Sequence, residues 1–168
     1  MKIFLIGFMG SGKTFWGKQL SEKLNVPFFD LDEKISEDVE KPISQIFAEN
    51  GEEYFRIREK EVLHLLTESH DTFVMACGGG TPCFYNNIDY LKKKGLVIWI
   101  SCSTDSIYQR LLKEKDQRPL ISNIKDNELK AFITKKYASR KIYYRQANIV
   151  INEDDISLDK FVNSIFHS

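Results

Sequence analysis

The stretch GFMGSGKT at residues 7–14 leaves this chain few ways to fold. Gly7 is followed by four residues and then by Gly12, Lys13 and Thr14, the spacing of a phosphate-binding loop, and the motif comes directly after an apolar run at 2–6. Such a loop needs a strand before it and a helix after it. Glycines at 7, 10 and 12 let backbone N–H groups converge on phosphate oxygens, and the helix that follows adds its positive N-terminal end. Within the nucleotide-binding run Gly10, Ser11, Gly12, Lys13, Thr14 and Phe15, Lys13 can reach the β- and γ-phosphates and Thr14 can offer its hydroxyl to Mg²⁺. The plainer alternative is a glycine turn with no ligand. The position between a strand and a helix weighs against it, so the local chemistry implied is a purine nucleoside triphosphate with its metal.

The rest of the chain repeats the same alternation. Short apolar runs at 26–31, 72–76, 96–100 and 148–151 read as strands, and helical spacing occupies 15–24, 43–66 with a break near Gly51, 88–94, 105–113 and 128–144. Strands alternating with helices imply parallel strands joined by right-handed crossovers, hence a three-layer α/β sandwich in a single domain of 168 residues. The polar stretch 113–127, interrupted by Pro119, is the expected mobile excursion.

Charge and cysteine usage narrow the partners. Twenty-four basic residues balance twenty-four acidic ones, so no overall field favours nucleic acid or an anionic membrane, and any anion site must be built locally. Three cysteines without C-x-x-C spacing argue against a disulfide framework or a zinc knuckle and fit a reducing cytosol. No targeting segment or membrane span is legible, and His64, His70 and His167 show no metal spacing.

Acceptor chemistry must come from the ends of the strands. FFDLDEKI places Asp30 and Asp32 at the carboxyl end of the second strand, where open parallel sheets expose their ligand crevice. Asp30 suits the metal shell and Asp32 suits an acceptor hydroxyl whose proton it would take; either could instead cap the next helix. Arg56 and Arg58, two residues apart on one helix, cannot share a face, so only one of them can grip an anionic acceptor, and surface pairing with Glu52, Glu59 or Glu61 is the alternative. Gly78, Gly79 and Gly80 end the third strand with backbone that a ligand can approach closely. Cys77 before them reads as a small buried residue. Phe47 and Phe55 could wall an acceptor pocket. Arg118 falls in the mobile stretch, as a lid arginine would, and Arg110 and Arg140 could reach a base and an acceptor or remain surface charges.

Taken together, in this order and across essentially the whole chain, GFMGSGKT, FFDLDEKI, IFAENGEEYFRIRE, GGGTP, RPL and SRKIYYRQA resemble the blocks of shikimate kinase, a small P-loop kinase of the nucleoside monophosphate kinase type. The resemblance implies ATP- and Mg²⁺-dependent phosphorylation of the 3-hydroxyl of shikimate, giving shikimate 3-phosphate and ADP on the way to chorismate and the aromatic amino acids. It also implies a five-stranded sheet of order 2-3-1-4-5, a substrate-binding region near 31–60, a lid near 112–124, and a cytoplasmic monomer that binds small molecules but neither nucleic acid nor membrane. By the same resemblance Lys13, Asp32 and Arg118 are catalytic, Thr14 and Asp30 serve the metal, and Arg110 stacks on adenine. Arg56, oriented by Glu59, and Arg140 take the shikimate carboxylate, and Gly78 to Gly80 line its site. Three places depart from the pattern: Cys77 stands where Thr or Ser is usual, Ile142 where proline is usual, and INEDDIS follows the adenine-side pattern loosely. A gluconate kinase of the same architecture, or a nucleotide-binding module without catalysis, are the rival expectations.

Overall fold

In the computed structural model, residues 1–118 and 120–167 are described; Pro119, which the sequence places in the lid, lies outside them. Five parallel strands form one sheet: β1 (Lys2–Ile6), β2 (Phe28–Asp30), β3 (Phe73–Ala76), β4 (Leu96–Ser101) and β5 (Ile149–Asn152), in the order β2-β3-β1-β4-β5. This is the order that the resemblance implied. In central β1, Ile3, Phe4, Leu5 and Ile6 are fully buried, as an uninterrupted apolar run requires when helices cover both faces of a parallel sheet.

Seven helices connect and flank the strands among the described residues: α1 (Lys13–Leu24), α2 (Leu31–Val39), α3 (Ile43–Ser69), α4 (Asn87–Lys94), α5 (Thr104–Glu114), α6 (Asp126–Tyr144) and α7 (Leu158–Phe166). Their N-termini are built differently, and the difference bears on function. Asp30 caps α2 by accepting from the Glu33 N–H, and Ser103 and Ser157 cap α5 and α7 in the same way. No side chain caps α1, α3, α4 or α6, and of these only α1 follows a glycine, Gly12, with a left-handed φ of 94°. The first N–H groups of α1 are therefore left for an anion.

Three details differ from the expectations. The second strand is only Phe28–Asp30 instead of 26–31, and Asp32 sits in the first turn of α2 instead of on the strand, because the Asp30 cap starts the helix immediately. The break expected near Gly51 is present as a kink inside α3, with φ 85° and ψ 167° at Gly51, a backbone region essentially restricted to glycine. The stretch 113–127 is not a bare excursion: Ile121 is fully buried in the core and Ile124 packs against it. Finally, the spacing of the sequence gives no expectation of α7, which Phe161 anchors in the core beside the Trp16 ring. The three thiols are free, Cys77 and Cys102 being buried. No helix among the described residues is long and apolar enough to cross a membrane.

Candidate active site

Two cavities open at the carboxyl ends of the strands, each of about 500 Å³. The first follows the phosphate loop and is lined by Gly10 to Trp16, Asp30, Arg110, Glu114 and Ile156. The second lies between the glycine triplet and α3 and is lined by Phe47, Phe55, Arg56, Glu59, Gly80, Leu120 and Arg140. Met9, Asp32, Gly78, Gly79 and Arg118 line both. The two cavities therefore adjoin at a rim that includes one carboxylate, Asp32, and one guanidinium, Arg118.

On the phosphate side, the Lys13 ammonium donates to the carbonyls of Gly7 at 2.7 Å and Phe8 at 3.0 Å, folding back over the loop that it closes. Burial lowers its pKa to about 8, although Asp32 pulls the other way. The Thr14 hydroxyl donates to Asp30 Oδ2 at 3.0 Å while Oδ1 of the same carboxylate accepts from the Glu33 N–H at 3.2 Å. Asp30 thus caps α2 and also ties it to α1. The two roles weighed from the sequence are compatible because each uses a different oxygen. This hydroxyl and carboxylate form a pair of hard oxygen donors beside the phosphate loop, which suits Mg²⁺. No group of three or more His, Cys, Asp or Glu among the described residues could hold a metal alone.

On the acceptor side, each glycine of the triplet makes room for a charged side chain. A Cβ on Gly78 would lie 2.9 Å from Asp32 Oδ1, on Gly79 3.1 Å from Arg140 Nη1, and on Gly80 2.6 Å from Arg56 Nη2. The run is therefore a backbone strip against which three ionic groups are pressed. Arg56 is the inward arginine of its pair: its guanidinium meets buried Glu59 at 3.0 and 3.2 Å, packs 4.2 Å from the Phe84 ring centre, and reaches Glu52 at 3.4 Å. Arg58 points away and pairs with Asp38 and Glu61. Glu59 is fully buried and also accepts from the Thr81 hydroxyl at 2.8 Å.

Burial sets the electrostatics of this end. It raises the Glu59 pKa against the pull of Arg56. It also raises Asp32 to about 6, helped by the nearby Glu59 and Asp30 carboxylates and opposed by Lys13 and Arg56. Cys77, lining the first cavity, is pushed strongly up by burial and stays a neutral thiol.

Arg140 is nearly buried and stacks 5.6 Å from the Phe8 ring centre, and one turn along α6 the Tyr144 hydroxyl donates to the Gly79 carbonyl at 2.6 Å. Arg118 is half exposed and paired with Glu114 at 2.7 Å. Phe47 and Phe55 pack on each other, ring centres 4.6 Å apart, as one wall of the second cavity. Phe15 is mostly exposed at the mouth of the first. Arg110 lines the first cavity, bonded to the Gly10 carbonyl at 2.9 Å. Sequence reasoning passed over Thr81, Tyr144, Glu114 and Glu153. Two of these carried a readable signal: Thr81 follows the triplet directly, and Tyr144 lies four residues after Arg140 on the same helix face.

Comparison with known proteins agrees with this geometry. The family model for shikimate kinase matches residues 9–168. A shikimate kinase of Bacteroides thetaiotaomicron is 39% identical over 156 residues, covering 93% of this chain and 89% of that protein. One of Flavobacterium psychrophilum is 40% identical over 98% of this chain and 96% of its own length. Among solved structures, the B. thetaiotaomicron shikimate kinase superposes with a TM-score of 0.92 over 100% of this chain and 99% of the other, at 35% identity. Shikimate kinase from Acinetobacter baumannii, in complex with shikimate, gives 0.84 over 98% and 92%, at 33% identity. In sequence and in fold, over nearly its whole length, the chain belongs to the shikimate kinase family.

Proposed function

We propose that the protein transfers the γ-phosphoryl group of ATP to the 3-hydroxyl of shikimate, releasing ADP and shikimate 3-phosphate. The observation that carries this reading is the shared rim of the two cavities, where the described residues that line both include one half-buried carboxylate, Asp32, and one arginine, Arg118. A relative of the same fold that holds shikimate supports the choice of acceptor.

The proposed roles follow from position. The uncapped N-terminus of α1, Gly10 to Phe15 and Lys13 hold the triphosphate, and Arg110, which lines the same cavity, meets the base. Thr14 and Asp30 hold Mg²⁺, which when bound neutralises charge on the phosphates. Arg56, fixed by Glu59, and Arg140 converge beside Gly79 and Gly80 to take the carboxylate of shikimate, and Phe47 and Phe55 cover its ring. Asp32 accepts the proton of the attacking hydroxyl. The new bond joins that oxygen to the γ-phosphorus, the bond to the bridging oxygen of ADP breaks, and Lys13 and Arg118 stabilise the charge that spreads over the transferred group. Residues 31–60 would close over shikimate and residues 112–124 over the nucleotide, excluding water from the transfer. We assign the protein to the cytoplasm, where its three free thiols stay reduced, and to a monomeric state.

The test is ADP release from MgATP with shikimate, gluconate or a nucleoside monophosphate as acceptor, and with none. Turnover with shikimate alone is expected. Equal turnover without acceptor, or with gluconate, would overturn the assignment.

A further inference from the structure

Arg110 is held along its edge by three partners from three parts of the fold. Its Nη1 donates to the Gly10 carbonyl at 2.9 Å and contacts Cys102 Sγ at 3.4 Å, and its Nη2 donates to Glu153 Oε2 at 3.3 Å. The N–H groups of a guanidinium lie in its plane, so edge contacts of this kind fix the plane and leave the two faces free for stacking. Glu153 follows β5 directly and is itself anchored: its other oxygen, Oε1, accepts from the Ser103 N–H at 3.1 Å and the Ser106 hydroxyl at 2.9 Å, both at the start of α5. Burial alone would raise its pKa, yet these hydrogen bonds outweigh burial and hold it below the ordinary value, as an anion. Glu153, Arg110 and Ile156 all line the first cavity.

We infer that Glu153 is a positioning residue for nucleotide recognition: it holds the Arg110 guanidinium in the plane that stacks on the purine. The inference rests on the proposed placement of the base beside Arg110. The chemistry requires a carboxylate. Oε1 serves the backbone and hydroxyl of the 103–106 turn while Oε2 serves Arg110, and glutamine, with a single acceptor oxygen, cannot do both. Arg110 gains nothing comparable from its other two partners, a carbonyl and a neutral thiol. Arg110 also touches the phosphate loop, so the experiment must separate base recognition from support of that loop.

Binding of MgADP and of magnesium pyrophosphate is measured by calorimetry for the parent protein, Glu153→Gln, Arg110→Ala and the double variant. Glu153→Gln is expected to weaken ADP about 3- to 10-fold, since the pair is partly exposed, and to leave pyrophosphate unchanged. The loss should vanish in the Arg110→Ala background, because a residue that acts through Arg110 has nothing left to act on. Steady-state kinetics should show a raised KM for ATP at constant KM for shikimate. If Arg110→Ala weakens ADP but Glu153→Gln does not, or does so equally with and without Arg110, the inference is wrong and the base placement stands. If Arg110→Ala leaves ADP binding intact, the base placement fails and the inference with it. Equal weakening of ADP and pyrophosphate by Glu153→Gln would assign the residue to the phosphate loop and overturn base positioning.

Discussion

A carboxyl pushed up to about 6 by burial and by its neighbours Glu59 and Asp30 cannot be neutral in its effect on the fold. Asp32 ordinarily ionises near 3.8, so the folded protein binds this proton more tightly than the unfolded chain does. Ionised Asp32 therefore costs stability, fully above about pH 6, and the cost disappears once pH falls below the unfolded value. Asp32→Asn should raise stability at pH 7.5 by about 1–3 kcal/mol, read as a thermal midpoint several degrees higher, while turnover is lost. An unchanged or lower midpoint would contradict the electrostatic account. The same titration should shape activity: kcat/KM should fall as pH drops through about 6, where Asp32 gains its proton, and, for ATP, as pH rises through about 8, where free Lys13 loses its own. A second residue-scale test concerns the triplet. At Gly80 a methyl group would sit 2.6 Å from a guanidinium that Glu59 and Phe84 already pin, so Gly80→Ala must displace Arg56. The KM for shikimate should rise about 10-fold or more with the KM for ATP little changed.

Among the elements, α3 matters most for shape. Its kink at Gly51 sets the direction of the second half, which carries Phe55, Arg56 and Glu59, relative to the first, which carries Phe47. Nothing lies within 4 Å of a Cβ placed there, so Gly51→Ala would meet no steric clash, and the whole penalty is the backbone conformation. It should cost about 1–3 kcal/mol in urea denaturation, the opposite of the gain that helix propensity alone would give, and should weaken shikimate more than ADP. The break was legible because a glycine interrupts a long helical spacing. Other elements were legible only in part. The phosphate loop could be read in full, since its chemistry is local to eight residues. Strand order could not be read from periodicity, because pairing is decided by contacts distant in sequence; it came from the resemblance. Strand β2 is shorter than its apolar run, since Val26 and Leu31 are as apolar as the strand itself and only the cap at Asp30 shows where helix α2 takes over. α7 was missed because nine residues after a polar turn give too short a pattern to stand out.

For the molecule as a whole, the two cavities should behave as separable binding sites on one core. Saturating ADP at about 100 times its Kd should stabilise the protein by about 2.7 kcal/mol, and shikimate likewise at the same ratio. Arg56→Ala should abolish the thermal shift given by shikimate and preserve most of that given by ADP, because Arg56 lines only the second cavity. Loss of both shifts would mean that the sites do not bind independently. What the sequence could not reveal about the site belongs to this scale too. That Arg56 and not Arg58 faces inward follows from the resemblance or from coordinates, not from spacing. That Glu153 meets Arg110 is a contact between residues 43 positions apart in the chain.

The five residues common to both cavities also set out a blueprint for a ligand. Where two pockets share a rim, one molecule can occupy both without crossing bulk solvent. A nucleoside diphosphate tethered through a phosphate-length bridge to a cyclohexene carboxylate would dock its second half at the high effective concentration set by that short tether. It would be selective through the pairing of the two pockets, since kinases with an equivalent phosphate loop need not have an arginine-lined chamber adjoining it.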